Sequence, residues 1–304
     1  LYALYLNTIG YANVATGARA MYNNTTGFFN TANGYRAFFN NTTGRGNAAT
    51  GYQALLNNTT GYYNTAIGYA AIGSISANAN TGIGSFVLNK TTTGYYNTAV
   101  GSGALKYNTI GESNSGLGES SLGKNTTGSF NSSYGRLSLY NNTTASYNNA
   151  FGSTALYANT TGASNSAFGY SSLVTNTTGS FNSAFGDASM YYNTTGTYNI
   201  AIGGYSLYSN TTGGSNTGVG YNSLKNNITG MTNTAIGGSA LYFNTSANYN
   251  VAVGYESINN NVSGNSNTAI GYQSLFSNNA NTGSIAVGFN SMKYADSRTS
   301  GITT

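Results

Sequence analysis

Small, apolar and polar residues recur along this chain with a fixed period of seventeen residues. The clearest marker is the glycine of the segment NTAIG at Gly68, which has an equivalent in every repeat. Successive marker glycines are 17 residues apart, except that Gly68 and Gly84 are 16 apart. The seventeen markers are Gly17, Gly34, Gly51, Gly68, Gly84, Gly101, Gly118, Gly135, Gly152, Gly169, Gly186, Gly203, Gly220, Gly237, Gly254, Gly271 and Gly288. Such regularity predicts a repeat architecture rather than separate globular domains.

The repeat is numbered here from the asparagine that precedes each marker glycine by four residues. Its consensus is N-T-A-I-G-Y-x-A/S-L-Y-x-N-T-T-G-x-Y. Position one is Asn in sixteen of seventeen repeats, with Ser284 as the exception, and position three is always Ala, Gly or Ser. Position eight is Ala or Ser except at Val87, and position nine is always Leu, Ile, Met or Phe. Fixed places for large and small residues indicate a core built by stacking identical coils.

The period and the composition favour strands over helices. Seventeen residues are too few for a helix-pair repeat, which needs about 33, and Gly and Asn are poor helix formers. We therefore predict an all-β parallel solenoid, or β-roll, of about seventeen coils with two short strands in each. One strand covers positions two to four, such as Thr65–Ile67, and the other lies within positions seven to ten, where Ser206–Tyr208 is an example.

Two turns complete the predicted coil. The glycine at position five is expected to bend the chain between the strands, because glycine adopts left-handed backbone conformations freely. These structural turn glycines are represented by Gly68, Gly101, Gly152, Gly203, Gly237 and Gly271. The N-T-T-G segment at positions twelve to fifteen is expected to turn the chain into the next coil, since Asn tolerates positive φ and Gly turns.

The pattern also predicts which side chains face inward. The large apolar residues at positions four and nine are expected to form continuous internal stacks. The small residues at positions three and eight are expected to let the two walls of the coil approach each other closely. The asparagines at position one are expected to form amide ladders. Thr16, Asn33 and Thr50 occupy position four of the first three repeats, which predicts either a thinner core there or an end that meets another structure. The 16-residue repeat around Ala77 predicts a local kink or a tighter corner.

The array is predicted to be one continuous domain. It covers residues 1–288, and residues 289–304 form a C-terminal tail or the start of a next segment. The first residue falls at position six of a repeat, so we expect the chain to be a piece of a longer array.

Composition narrows the function classes. Only 5% of the residues are charged, the net charge is +5, and the chain has no Cys, His, Pro or Trp. The ten basic residues are scattered instead of forming a stripe, which argues against nucleic acid as a partner. No apolar run approaches the roughly 20 residues of a membrane span. The five acidic residues are Glu112, Glu119, Asp187, Glu256 and Asp296. Without His or Cys to accompany them, we expect no catalytic residue, no metal site and no cofactor.

The asparagines at position twelve often begin an Asn-x-Ser/Thr triplet, the acceptor pattern for N-glycans. The triplet is complete at Asn24, Asn41, Asn58, Asn125, Asn142, Asn159, Asn176, Asn193, Asn210, Asn227, Asn244 and Asn261. Glycosylation of several of them would put a row of sugars along the turns. The alternative is that a chain rich in Asn, Ser and Thr contains these triplets by composition, because N-T-T-G is a sound turn in itself.

Threonine and aromatic residues also recur in rows. The adjacent threonines of N-T-T-G could present a surface of the kind that ice-binding solenoids use, although a turn points the two side chains in different directions. The Tyr and Phe residues at positions six, ten and seventeen allow two interpretations. They form an exposed aromatic stripe that contacts another chain or a ligand, or they shield the turns and stack on one another. Both interpretations stay open.

Two segments carry a family resemblance. NTAIGYAAIG at residues 64–73 and NTAIGGSALY at residues 233–242 resemble the head repeats of trimeric autotransporter adhesins, and related repeats occur in bacterial and phage fibre proteins. The resemblance implies a left-handed parallel β-roll, three chains side by side, and a role in surface attachment. The repeat here is longer than that of the adhesins, and no heptad stalk or membrane anchor appears within these 304 residues.

Together these features predict a non-enzymatic, extracellular or cell-surface structural protein that forms a stiff rod within a filament, fibre or adhesin. Its expected partners are copies of itself, joined end to end in a filament or side by side in a homotrimer, with covalent glycans as a further option. The alternatives are the shaft of a receptor-binding phage or bacterial tail fibre and an ice- or carbohydrate-binding solenoid.

Overall fold

The computed structural model describes residues 2–73 and 76–295, which contain strands and turns and no helix. The chain divides into two compact units, residues 1–148 and 149–304, and each is described by itself below. The prediction of one continuous array over residues 1–288 stays a prediction. Of the predicted tail, residues 289–295 form a turn, and the rest lies outside the described residues.

Each coil contributes one three-residue strand, at positions two to four. In residues 1–148 the strands are β1 (Val14–Thr16), β2 (Thr31–Asn33), β3 (Ala48–Thr50), β4 (Thr65–Ile67), β5 (Thr81–Ile83), β6 (Thr98–Val100), β7 (Ser115–Leu117) and β8 (Ser132–Tyr134). In residues 149–304 they are β9 (Asn149–Phe151), β10 (Ser166–Phe168), β11 (Ser183–Phe185), β12 (Ile200–Ile202), β13 (Thr217–Val219), β14 (Thr234–Ile236), β15 (Val251–Val253), β16 (Thr268–Ile270) and β17 (Ile285–Val287).

Within each unit every strand pairs in parallel with the next one, and equivalent repeat positions lie side by side. Ala49 pairs with Ala66 in the first unit, and Ala235 pairs with Ala252 in the second. Since one step to the next strand is one repeat, each unit is a parallel solenoid with about 17 residues per turn. The predicted fold class is confirmed.

The second predicted strand is wrong, because positions six to eleven form turns. Positions seven and nine adopt left-handed backbone conformations even without glycine; φ is +58° at Asn222 and +50° at Leu224. Position seven donates its N–H to the previous coil and position nine to the next, as in Gln53 N to Tyr35 O at 3.0 Å and Leu55 N to Ala71 O at 3.0 Å. These residues thus keep hydrogen bonds between coils without strand geometry.

The prediction that position four faces the core is also wrong. Ala235 at position three and Leu241 at position nine are fully buried, whereas Ile236 at position four is 42% exposed. Side chains alternate across a strand, so the inward direction of position three forces positions two and four outward. The core consists of the small residues at three and eight, the large residues at nine, and buried asparagines.

The predicted thin core of the first three repeats is therefore wrong as well. Thr16, Asn33 and Thr50 face outward, and the inward places beside them are filled. Met21 and Phe38 at position nine are fully buried, so these coils keep a large core side chain like the coils that follow.

The predicted asparagine ladder at position one is confirmed. In the first unit Asn47 donates its backbone N–H to Asn30 Oδ1 at 2.9 Å and Nδ2 to the same oxygen at 3.2 Å. Its Nδ2 also reaches Gly61 O at 2.8 Å, across the coil. The second unit repeats the pattern, with Asn216 Nδ2 donating to Asn199 Oδ1 at 3.2 Å and to Gly230 O at 2.7 Å. Buried amides are stable here because their donors and acceptors are satisfied.

The N-T-T-G turn is closed by side-chain and backbone hydrogen bonds, and none of its residues has positive φ. Three successive N–H groups, of Thr25, Thr26 and Gly27, point at the carbonyl of Thr42 in the next coil, at 3.1, 3.0 and 3.1 Å. Position fifteen is closely packed, since a Cβ on Gly27 would lie 2.4 Å from Asn24 Oδ1. Most repeats carry glycine there, and others accommodate a buried alanine, as at Ala145 and Ala247.

The glycine at position five allows coils to approach closely. Gly203 has a φ of +126°, and a Cβ there would lie 2.7 Å from Gly220 in the next coil. Both the backbone conformation and the spacing exclude other residues.

The 16-residue coil keeps the register of its strand, since Thr65 pairs with Thr81 and Ile67 with Ile83. Asn64 Nδ2 donates to Ala77 O at 2.8 Å, the bond that other coils make to position fifteen. The missing residue therefore falls between Ile72 and Ala77. Residues 74 and 75 of this predicted kink lie outside the described residues.

Candidate interaction surfaces

In each unit the outward side chains of the strands form a regular surface, here called the strand face, made of positions two and four of β1–β8 in the first unit and of β9–β17 in the second. Position two is mostly Thr or Ser, and position four is mostly apolar. In the second unit, position four carries Phe151, Phe168, Phe185, Ile202, Val219, Ile236, Val253, Ile270 and Val287, all exposed or half-buried. In-register pairing places them in one row with a step of about 4.8 Å.

The strand face has no charged residue at any position two or four of the seventeen repeats. Its rings stack along the row, with Phe151 and Phe168 centroids 4.6 Å apart and Phe168 and Phe185 4.9 Å apart. In the first unit the row changes from polar at Thr16, Asn33 and Thr50 to apolar from Ile67 onward.

Aromatic residues at positions six, ten, sixteen and seventeen form ladders that are both stacked and exposed. Tyr35, Tyr52 and Tyr69 are stacked with centroids 5.4 and 5.1 Å apart. In the second unit Phe181 and Tyr198 stack at 5.0 Å with an interplanar angle of 4°. The rings therefore cover one another's faces and present mainly their edges to solvent.

All twelve asparagines of the Asn-x-Ser/Thr triplets are fully buried at position twelve. Asn125 Nδ2 donates to Asn108 Oδ1 at 2.8 Å and to Gly128 O at 2.9 Å, and Asn210 Nδ2 makes the equivalent bonds to Asn193 Oδ1 and Gly213 O. A glycan is attached at this nitrogen, so the folded coil leaves no room for one. Glycosylation stays a prediction for the chain before it folds.

The two threonines of the turn differ in their hydroxyl groups. Thr25 Oγ1 donates to Thr42 O at 3.0 Å, and Thr177 Oγ1 donates to Thr194 O at 3.1 Å. The position-thirteen hydroxyl therefore donates to the carbonyl of the next coil, although the residues at this position remain half-buried or exposed.

The acidic residues that the structure describes each have a separate partner. Glu119 pairs with Arg136 at 3.1 Å, both exposed. Asp187 Oδ1 accepts from Tyr170 N at 3.2 Å, and Glu256 Oε2 accepts from Gln273 Nε2 at 2.6 Å. Asp296 lies outside the described residues. Among residues 2–73 and 76–295, no three acidic, His or Cys side chains could hold a metal ion together.

Three tyrosines have raised pKa values. A hydrogen bond to Glu112, followed by the charge of that carboxylate, raises the pKa of Tyr95. The charge of Glu256 and a hydrogen bond to it raise the pKa of Tyr255. Burial, followed by a hydrogen bond to Tyr192, raises the pKa of Tyr208. In each case the environment favours the neutral phenol.

The described residues contain no helix long and apolar enough for a membrane crossing. No protein-family model matches the chain, and no curated protein matches it.

The strand face is the surface that sequence reasoning missed. Alternation along the strand was the signal that could have found it, because Asn at position one and Ala at position three share the inward side. The apolar residues at position four suggested that this position is buried, which conflicts with the alternation of side chains along the strand.

Proposed function

We propose that this chain is a non-enzymatic structural protein of the cell exterior, whose solenoid coils act as a stiff element of a filament, fibre or adhesin. The observation that carries the proposal is the strand face, an uncharged and largely apolar row that faces outward in both units. Its partner in this proposal is a second copy of the same chain. The resemblance to the heads of trimeric autotransporter adhesins supports the same reading.

Stiffness follows from the number of bonds that join each coil to the next. Most coils in each unit are held to the next by strand pairing, by two asparagine ladders and by a threonine hydroxyl. A bend would have to lengthen several of these bonds at once. Coils with this connectivity suit a mechanical role, because each repeat is stabilised mainly by its neighbours.

The period of the strand face favours a second copy as its partner. A surface that repeats about every 4.8 Å is matched at each step only by a partner with the same period. Another strand face has that period and is equally free of charge. Exposed apolar rows of this kind are typical of protein contact sites.

The alternative functions differ in their support. The shaft of a receptor-binding fibre would use the same solenoid and the same association. Ice binding by the N-T-T-G turns has less support, because the position-thirteen hydroxyls already donate to carbonyl groups.

The test is the oligomeric state of a variant that makes the strand face polar. Val219→Thr, Ile236→Thr and Val253→Thr together introduce the residue that Thr16 and Thr50 already supply at position four. We expect the parent chain to sediment as an oligomer and the triple variant to dissociate at least tenfold more readily, with unchanged circular dichroism.

The control variant removes apolar side chains elsewhere. Ile228→Thr with Val262→Thr restores the consensus at position thirteen and removes two exposed apolar residues from the turns. This variant should associate like the parent. A parent chain that stays monomeric at 0.1 mM, or a control that dissociates like the triple variant, would contradict the proposed association.

A further inference from the structure

One notch on the first unit combines an open aromatic face with an ammonium group, and we call it the lysine notch. It is lined by Phe86, Gly103, Lys106, Ser120, Gly123 and Tyr140. Its volume is about 230 Å³. Pockets for drug-sized ligands begin at about 300 Å³, so the notch has room for a single small ring.

The notch exists because large side chains are missing from two consecutive coils. The ladder of Tyr35, Tyr52 and Tyr69 ends at Phe86, and the following coils carry Gly103 and then Ser120 at the equivalent of Phe86. Gly103 has a φ of +69°, which fits the left-handed backbone of position seven. The Phe86 side chain is 42% exposed, and Lys106 Nζ lies over its ring.

The opposite wall is aromatic as well. The Tyr140 ring lies against Gly123, where a Cβ would come within 2.8 Å of it. Glycine at this place therefore lets the ring approach the backbone closely. The notch thus has Phe86 at one end and Tyr140 at the other.

The charge of the notch is positive. Lys106 Nζ lies 5.7 Å from the Phe86 centroid and 5.1 Å from the Tyr107 centroid, and no hydrogen bond or ion pair neutralises it within the described part of the chain. The neighbouring carboxylate, Glu119, is paired with Arg136. Other basic residues, such as Lys225, also lie over aromatic rings, and Lys106 differs from Lys225 in lining the notch.

Hydroxyl groups complete the lining. Ser102 Oγ lies 3.0 Å from Ser85 Oγ and can still donate or accept outward, and Ser120 contributes a second hydroxyl on the floor of the notch. Lys124 is less available, because its Nζ donates to Asn141 Oδ1 at 2.9 Å. The polar groups thus offer one free cation and two hydroxyls.

We propose that the lysine notch binds one carboxylated sugar ring of the uronic acid type. The C–H groups of one sugar face lie against Phe86, the carboxylate accepts hydrogen bonds from Lys106 Nζ, and the sugar hydroxyls bond to Ser102 and Ser120. A ligand carboxylate restores the hydrogen bonds that the ammonium lacks, and charge-assisted bonds are the stronger kind. This binding is independent of the proposed self-association.

The test is a ligand-detected NMR titration of the full chain with methyl glucuronide, methyl glucoside and acetate. We expect methyl glucuronide to bind with a Kd in the millimolar range and the other two at least tenfold more weakly. Lys106→Gln should weaken methyl glucuronide binding about tenfold, because a charged hydrogen-bond donor is lost.

Two further variants separate the notch from general charge effects. Gly103→Asn fills the notch, keeps every charge and tolerates positive φ, as Asn222 does at position seven; it should abolish binding. Lys225→Gln is the matched control, since Lys225 also occupies position ten and lies 5.3 Å from a tyrosine centroid, and it should leave the Kd unchanged.

Three results would overturn the proposal. The first is equal binding of methyl glucoside or acetate, which would remove the role of the carboxylate or of the ring. The second is an equal loss of affinity in Lys225→Gln and Lys106→Gln, which would show a general charge effect. The third is the absence of any binding of methyl glucuronide at 20 mM.

Discussion

Asparagine is the residue that holds the coils together from the inside. Both ladders use an amide that donates and accepts along the stack, and ladder asparagines such as Asn216 and Asn210 are fully buried. Two buried amide rows make each coil depend on its neighbours for hydrogen-bond partners. Removing one amide therefore leaves unsatisfied groups in two adjacent coils, which is more costly than losing the bond alone.

Asn226 and Asn227 provide a matched test of this point. Asn227 bonds to Asn210 Oδ1, Gly230 O and Asn244 Nδ2, whereas Asn226 is half-buried and its side chain makes none of these ladder bonds. We expect Asn227→Ala to destabilise the chain by about 2–3 kcal/mol and Asn226→Ala by less than about 0.5 kcal/mol. Urea unfolding followed by circular dichroism measures both, and equal effects would contradict the role of the ladder.

Ionisation of tyrosine is expected to lower the stability of the folded chain at alkaline pH. Burial and the hydrogen bond to Tyr192 raise the pKa of Tyr208 above that of the unfolded chain. Stabilisation from a raised pKa is fully present below the unfolded tyrosine value, near 10, and is lost as pH rises through the folded value. We expect Tm to fall as pH rises above about 10, with a smaller fall in Tyr208→Phe. Identical pH profiles of parent and variant would exclude this linkage.

At the scale of the element, the existence of the coil could be predicted from the sequence, but its strands and core residues could be predicted only in part. The 17-residue period predicted stacking, and invariant small residues at position three predicted close walls. The second strand could not be predicted, because Leu at position nine is no signal for a left-handed backbone. The strand face was misassigned because Ile at position four suggests burial when it is considered without the neighbouring Ala.

The burial pattern within one coil can be tested by truncation. Leu241→Ala removes a fully buried side chain and should cost about 2–5 kcal/mol. Ile236→Ala, in the same coil, removes a side chain that is 42% exposed and should cost less than about 1 kcal/mol in the dilute monomer. Thermal unfolding at micromolar concentration compares them. A larger loss of stability in Ile236→Ala than in Leu241→Ala would indicate that position four belongs to the core.

At the scale of the whole molecule, charge and surface act in opposite directions. The net charge of +5 makes copies of the chain repel one another weakly, while the strand face carries no charge to oppose contact. Added salt screens the repulsion between the positively charged copies. It weakens no attraction at the strand face, because that face contains no ion pair. Association through the strand face should therefore persist or strengthen as salt concentration rises.

The absence of cysteine makes the geometry of this association measurable with single cysteines. Thr217→Cys, Thr234→Cys and Thr268→Cys place one thiol each on β13, β14 and β16, and Thr212→Cys places one on the exposed turn as a control. Disulfides need Cβ atoms about 4 Å apart. If strand faces meet in parallel and in register, all three variants should cross-link on mild oxidation, and the control should not.

An antiparallel contact gives a different outcome from the same set. A two-fold axis across the strands brings only the thiol nearest to the axis close to its own copy, so one variant at most should cross-link. Slippage by one coil would separate equivalent thiols by about 4.8 Å more and would reduce all three yields together. If Thr212→Cys cross-links in preference to the three strand variants, the contact between copies involves the turns. The strand face would then not be the association surface that the proposed function requires.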